Sequence, residues 1–162
     1  MTVTAEAYRA ALRRHPAGVV IITLMSDAGP VGFTATSFAS LSLDPPLVSF
    51  NITHTSSSIA ALRNAPSVAV HLISEEQLPV ARRFSASAEQ RFNDAASWNL
   101  LETGEPLLTS AATWLRATLT QLIPAGDSTL VIAEVTHLQC RGNSAPLLYH
   151  DGDYHCARAL TS

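Results

Sequence analysis

Five stretches of turn chemistry divide much of this chain into short apolar runs: SDAGP at Ser26–Pro30, DPP at Asp44–Pro46, PAGD at Pro124–Asp127, RGNSAP at Arg141–Pro146 and DGD at Asp151–Asp153. Tight turns between β-branched segments join antiparallel strands. Val19 to Met25 is a continuous β-branched run that should return through SDAGP as a second arm from Val31 onward. Leu47 to Ile52 reads as a third strand, opened by Pro45 and Pro46, which a strand interior does not accommodate. Further strands are expected at Val68–Ile73, Trp114–Ile123, Thr129–Cys140, Leu147–His150 and Tyr154–Ala157.

Helical spacing appears only between these runs. Thr4 to Arg14 is amphipathic, with Glu6 in its first turn and Arg13 and Arg14 in its last, as the helix dipole favours. Ser56 to Asn64 opens on a cluster of hydroxyl cap candidates, and Glu75 to Phe84 has an acidic start and a basic end. Ser85 to Ser110 reads as a long irregular segment, of the kind that often holds function. Many strands with few inserted helices predict a mainly β fold, a closed or nearly closed antiparallel barrel, folded as one domain over residues 1–162.

Composition removes several classes. A net charge of -3 with no basic run disfavours nucleic acid and anionic membranes. All ten basic residues are arginine, which excludes chemistry that needs a Schiff-base lysine. Cys140 and Cys156 are spaced for neither a redox pair nor a thiolate zinc site, and read as reduced core thiols. The N-terminal segment lacks signal-peptide features and no window has the length of an apolar membrane span, so the expectation is a cytoplasmic protein. The segment HDGDYH offers His150 and His155 with two aspartates, but an Asp-Gly hairpin makes the same letters, and no metal is expected. The glycine-rich nucleotide loops and the GxSxG elbow are absent.

What remains is a run of hydroxyls, Thr34, Thr36, Ser37, Ser40 and Ser42, followed after one strand by Ser56, Ser57 and Ser58. A strand edge hydrogen-bonds a flat heteroaromatic ring along its length, and helix amides after Ser56 suit a phosphate. Together they are a compact way to hold a flavin mononucleotide. On spacing alone the same letters serve equally as helix caps and strand residues.

The sequence resembles the flavin reductase-like family over nearly its whole length. The resemblance rests on HPAGVVIIT (His15–Thr23), GFTATSFASLSLDPPLVSF (Gly32–Phe50), the serines at Ser56–Ser58, ARRF (Ala81–Phe84), RF (Arg91–Phe92), GEPLL (Gly104–Leu108) and PLLYHDGDY (Pro146–Tyr154). It implies an FMN-binding split β-barrel that works as a homodimer. In such a barrel Thr34, Ala35, Thr36 and Ser37 line the isoalloxazine and ribityl part of the flavin, residues Asn51 to Ser58 hold its phosphate end, and Phe84 and Ser85 close over its side. His150 matches a nicotinamide-facing position, where a hairpin histidine bonded to a neighbouring acid would also fit.

Two departures stand out. Thr53 and His54 replace an acid or amide followed by arginine, which shifts the phosphate grip to amides, hydroxyls and Arg83. FSA at Phe84–Ala86 replaces FAG, which bears on how closely the backbone approaches the ligand. The implied activity is reduction of FMN or FAD by NADH or NADPH, with reduced flavin passed to a partner monooxygenase. The alternative is an oxidase or flavin-binding module of the same barrel without efficient nicotinamide turnover.

Overall fold

The computed structural model describes residues 2–161. Helix α1 (Ala5–Leu12) leads into β1 (Ala17–Gly18), β2 (Val20–Ser26), β3 (Gly29–Ala35), β4 (Ala39–Leu43) and β5 (Pro46–Thr53). Then come α2 (Ile59–Asn64), β6 (Ser67–Leu72), α3 (Leu78–Ser85) and the short strands β7 (Trp98–Leu100) and β8 (Pro106–Leu108). The long pair β9 (Thr113–Ala125) and β10 (Ser128–Cys140) precedes the hairpin of β11 (Leu147–His150) and β12 (Asp153–Cys156).

Seven strands form one antiparallel sheet in the order β3-β2-β6-β9-β10-β5-β4. The sheet curls until β3 faces β5: the Phe33 and Phe50 rings lie 6.3 Å apart, and the Ser37 hydroxyl accepts a 2.8 Å hydrogen bond from the Asn51 amide. No ladder bonds join the two strands, so the barrel is split along this seam, as the family resemblance implies.

Alternation explains the core. Val20, Ile22 and Leu24 point into the barrel with Phe50, Ile52, Val68, Val70, Val131 and Ala133, and α2 plugs it with Ile59 and Leu62. The other face of β2 is covered as well, because Ile21 packs against Ala81 and Phe84 of α3, Leu108 of β8 and Leu147 of β11. A strand buried on both sides has no place for alternating polar residues, which is why Val19–Leu24 is almost uninterruptedly apolar. His71 is buried on the same outer face. Its Nδ1–H donates to the Ile21 carbonyl at 2.9 Å and its Nε2 accepts from the Leu108 amide at 3.1 Å, so both nitrogens of a neutral ring are satisfied. Burial lowers its pKa to about 4, against the raising effect of the Ile21 bond.

Several expectations shift. The first helix is shorter than Thr4–Arg14: Thr4 is its cap, accepting from the Ala7 amide at 3.2 Å, and no residue of α1 is buried. α2 starts at Ile59, three residues after Ser56, because Ser56 and Ser58 form a local turn in which the Ser58 amide donates to the Ser56 hydroxyl at 3.2 Å. A 3₁₀ turn, Glu75–Gln77, precedes α3, whose first turn holds Pro79. The irregular segment holds two further 3₁₀ turns and the β7–β8 pair. Asp151 and Gly152 form the last hairpin turn with φ of 51° and 80°, and His150 lies opposite Asp153 as the spacing predicts. The thiols are a correction: Cys140 and Cys156 are free and exposed, since both fall at strand ends beyond the covered part of the sheet. No helix among the described residues is long and apolar enough to cross a membrane.

Candidate functional site

The seam between β3 and β5 opens into a cleft of about 510 Å³, within the roughly 300–1,000 Å³ of small-molecule and cofactor sites. β3 and the break after it supply Thr34, Ala35, Thr36 and Ser37; β5 supplies Asn51 and Thr53. Ser56, the end of α3 at Phe84 and Ser85, Arg91, and Ser128 at the start of β10 complete the wall with Phe33 and Ile52.

The hydroxyls in this wall divide by whether they are already engaged. Thr34 donates to the Ala81 carbonyl at 3.2 Å, Ser85 to the same carbonyl at 3.0 Å, and Ser128 to the Asp127 carboxylate at 3.0 Å. Ser37 and Ser56 accept from the Asn51 and Ser58 amides, and Thr53 accepts from Thr55 at 3.3 Å. Among the described residues only Thr36 has no hydrogen bond within the protein, and it is exposed to the cleft. Its O–H is free for a ligand, and so are those of Ser56 and Thr53, which only accept within the protein.

Arg91 is the one charged residue among those lining the cleft. Its Nη1 donates to the Gly32 carbonyl at 2.7 Å, and its Nε and Nη2 donate to the Ala86 carbonyl at 3.3 and 2.9 Å. Three of its five N–H groups are thereby held, and the remaining two, one on each Nη, are left for an anion. Burial disfavours its charge and lowers its pKa, a cost that an anion in the cleft would offset. The neighbouring Phe92 sets its position by wedging between Phe84 and Trp98, with near-perpendicular rings 5.1 and 5.4 Å away. Gly32 leaves room for that wedge: a Cβ there would lie 2.7 Å from Phe84 Cε1 and 3.1 Å from Phe92 Cζ.

Of the residues singled out from sequence, Thr34, Ala35, Thr36, Ser37, Asn51, Ser56, Phe84 and Ser85 meet in this cleft. Ser57 and Ser58 line an adjoining cavity of about 100 Å³ that shares Arg91 with it. Arg83 is not in the wall; its Nη2 donates to the Ser97 hydroxyl at 3.2 Å and its guanidinium lies over the Phe84 ring at 5.7 Å. His150 stands on the β11–β12 hairpin with Nε2 3.2 Å from the Arg14 carbonyl, outside the cleft wall. The same hairpin meets the back of the cleft wall at Ser85, whose hydroxyl is 3.3 Å from that of Tyr154. At the FSA departure, Ala86 has φ −82°, so the backbone needs no glycine. His54 is engaged with Thr129 at 3.0 Å. No three His, Cys, Asp or Glu side chains converge among the described residues.

Arg91 and Ser128 were not among the expected site residues. Arg91 had a signal, since it is the one basic residue of the irregular segment and precedes an aromatic. Ser128 had none, because only the register that sets it opposite Thr53 brings it to the cleft.

Residues 12–158 match the family model described as the flavin reductase like domain. The chain is 57% identical over 152 residues to an NADH:FMN oxidoreductase of Rhodococcus erythropolis, covering 91% of this chain and 79% of the relative. It is 35% identical over 147 residues, 91% of this chain and 75% of the other, to the reductase subunit HsaB of a flavin-dependent monooxygenase of Rhodococcus jostii. Its fold superposes on a flavin reductase domain protein from Arthrobacter sp. FB24 with a TM-score of 0.92 and 34% identity, covering 98% of this chain and 99% of that one. A split barrel with a nucleotide-sized, hydroxyl-lined cleft, matched over most of its length by these relatives, the chain belongs to the flavin reductase-like family.

Proposed function

We infer that this chain is an NAD(P)H-dependent flavin reductase and that the cleft beside Thr36 and Arg91 holds its flavin. The observation that carries the assignment of the cleft is its donor set: the free O–H groups of Thr36, Ser56 and Thr53, and one anchored cation with two N–H groups in hand. Such a wall suits a ligand with a polar ring edge, a polyol and one phosphate, and the similarity to an NADH:FMN oxidoreductase favours FMN and NADH over FAD and NADPH.

A bound flavin supplies a ring that takes a hydride from a reduced nicotinamide and passes electrons on. Thr36 and the backbone after β3 offer hydrogen bonds where negative charge collects on such a ring, a preorganised form of stabilisation. Arg91, with Ser56 and the serines of the adjoining cavity, holds the phosphate. Phe84 shields the side of the cleft from water. His150 orients the nicotinamide: the Arg14 carbonyl takes the Nε2 hydrogen and leaves Nδ1 as an acceptor for a carboxamide.

The protein works in this reading as a single domain over residues 1–162, as a homodimer in the cytoplasm, delivering reduced flavin to a monooxygenase, for which its similarity to HsaB is the support. Oxidation of NADH and of NADPH, each with FMN, FAD and riboflavin, tests the activity. Rapid turnover that requires added flavin and is fastest with NADH and FMN is expected. Flavin binding without turnover would overturn the reductase reading in favour of a binding module or oxidase.

A further inference from the structure

Ser85 ends α3 at the wall of the cleft, and its hydroxyl has a single hydrogen, directed to the Ala81 carbonyl at 3.0 Å. The Tyr154 hydroxyl, 3.3 Å away, must then be the donor of the pair, and Ser85 Oγ its acceptor. One lone pair of Ser85 remains, with no hydrogen beside it. Tyr154 is itself well fixed. Its ring packs against the Ile21–Phe84 cluster and stands edge-on to Tyr149 at 5.3 Å. The turn beside it is clamped to the end of α1, where the Asp151 amide donates to the Arg13 carbonyl at 2.9 Å and the Arg13 guanidinium donates to the Asp151 carbonyl at 3.2 Å.

We propose that Tyr154 is a positioning residue that makes Ser85 an obligate hydrogen-bond acceptor in the cleft, matched to an N–H or O–H donor of the flavin. The proposal rests on the assignment of the cleft to flavin. It gives the FSA sequence a purpose that a small apolar residue at the serine position lacks, and it makes the β11–β12 hairpin part of flavin recognition although only Tyr154 reaches the wall.

The test is a double-mutant cycle on FMN affinity, read at equilibrium by quenching of flavin fluorescence without nicotinamide, for wild type, Tyr154→Phe, Ser85→Ala and the double variant. Tyr154→Phe keeps the ring and its packing, and thermal melting of each variant checks the fold. Ser85→Ala is expected to weaken FMN binding about fivefold and Tyr154→Phe about threefold, the yield of one hydrogen bond and of its orientation. In the Ser85→Ala background, Tyr154→Phe should add nothing. An equal loss from Tyr154→Phe with and without Ser85, or no loss from either single variant, would overturn the proposal. Wild type that fails to quench FMN fluorescence would instead overturn the assignment of the cleft.

Discussion

Thr36 and Ser37 are neighbours with separate duties. The Ser37 hydroxyl stitches the split seam by accepting from the Asn51 amide, so Ser37→Ala should lower the unfolding free energy by about 1 kcal/mol in urea titration, the usual net value of such a bond. Thr36 has no partner inside the protein, so Thr36→Val should leave the urea midpoint unchanged and lower kcat/KM for FMN by about five- to tenfold, the effect of losing one donor. A Thr36→Val variant with wild-type kinetics would remove Thr36 from the site. His71 sets an acid limit. Its pKa is near 4 folded and near the ordinary 6.5 unfolded, so between those values the unfolded chain binds a proton that the native chain refuses. Stability therefore falls as pH drops below about 6.5, by about 2 kcal/mol between pH 7 and pH 5 from this group alone. Burial would raise the Glu105 carboxyl, but hydrogen bonds from Ser67 and Thr103 and the Arg116 guanidinium outweigh it and lower its pKa, which adds loss on acidification. Urea midpoints that do not move from pH 7 to pH 5 would contradict this account of His71.

At the scale of elements, the packing of β3 against α3 and the irregular segment couples fold to site. Gly32→Ala would push its Cβ into Phe84 and Phe92, costing about 1–3 kcal/mol by overpacking. Because Phe84 lines the cleft and Arg91 bonds to the Gly32 carbonyl, FMN affinity should fall in the same variant. A destabilised variant with unchanged FMN affinity would separate the two and contradict the coupling. The strands were readable because turn chemistry brackets apolar runs: the β2–β3, β9–β10 and β11–β12 hairpins lie within one to three residues of where the letters place them. Thr34, Thr36, Ser37 and Ser56, grouped by their spacing in the sequence, meet in one cleft. Arg91 carried only the signal of a lone basic residue before an aromatic, since its place depends on Phe92 wedging between Phe84 of α3 and Trp98 of β7, and the start of α2 was missed because the serines close a turn before the helix begins. The two cysteines were misread because burial at a strand end depends on what covers the sheet there, which composition does not report.

Seen as a whole, the molecule leaves apolar surface uncovered. Leu43 on the edge strand β4 is 91% exposed and Leu138 on β10 is 66% exposed, and Tyr8 and Leu12 of α1 are 59% and 48% exposed. An exposed edge strand without charges invites pairing. The proposed homodimer would cover such surface, and light scattering of the purified protein is expected to report twice the mass of one chain. A monomer at micromolar concentration would count against it. Whether the cleft with Arg91 holds a flavin phosphate decides the assignment of the site. The decisive measurement is the affinity of wild type and Arg91→Ala for FMN and for riboflavin, which lacks the phosphate, by fluorescence quenching. Loss of charge-assisted hydrogen bonds should weaken FMN binding by at least about tenfold and leave riboflavin binding nearly unchanged. Equal affinities of wild type and variant for FMN, or equal losses for both flavins, would contradict the placement of the phosphate at Arg91.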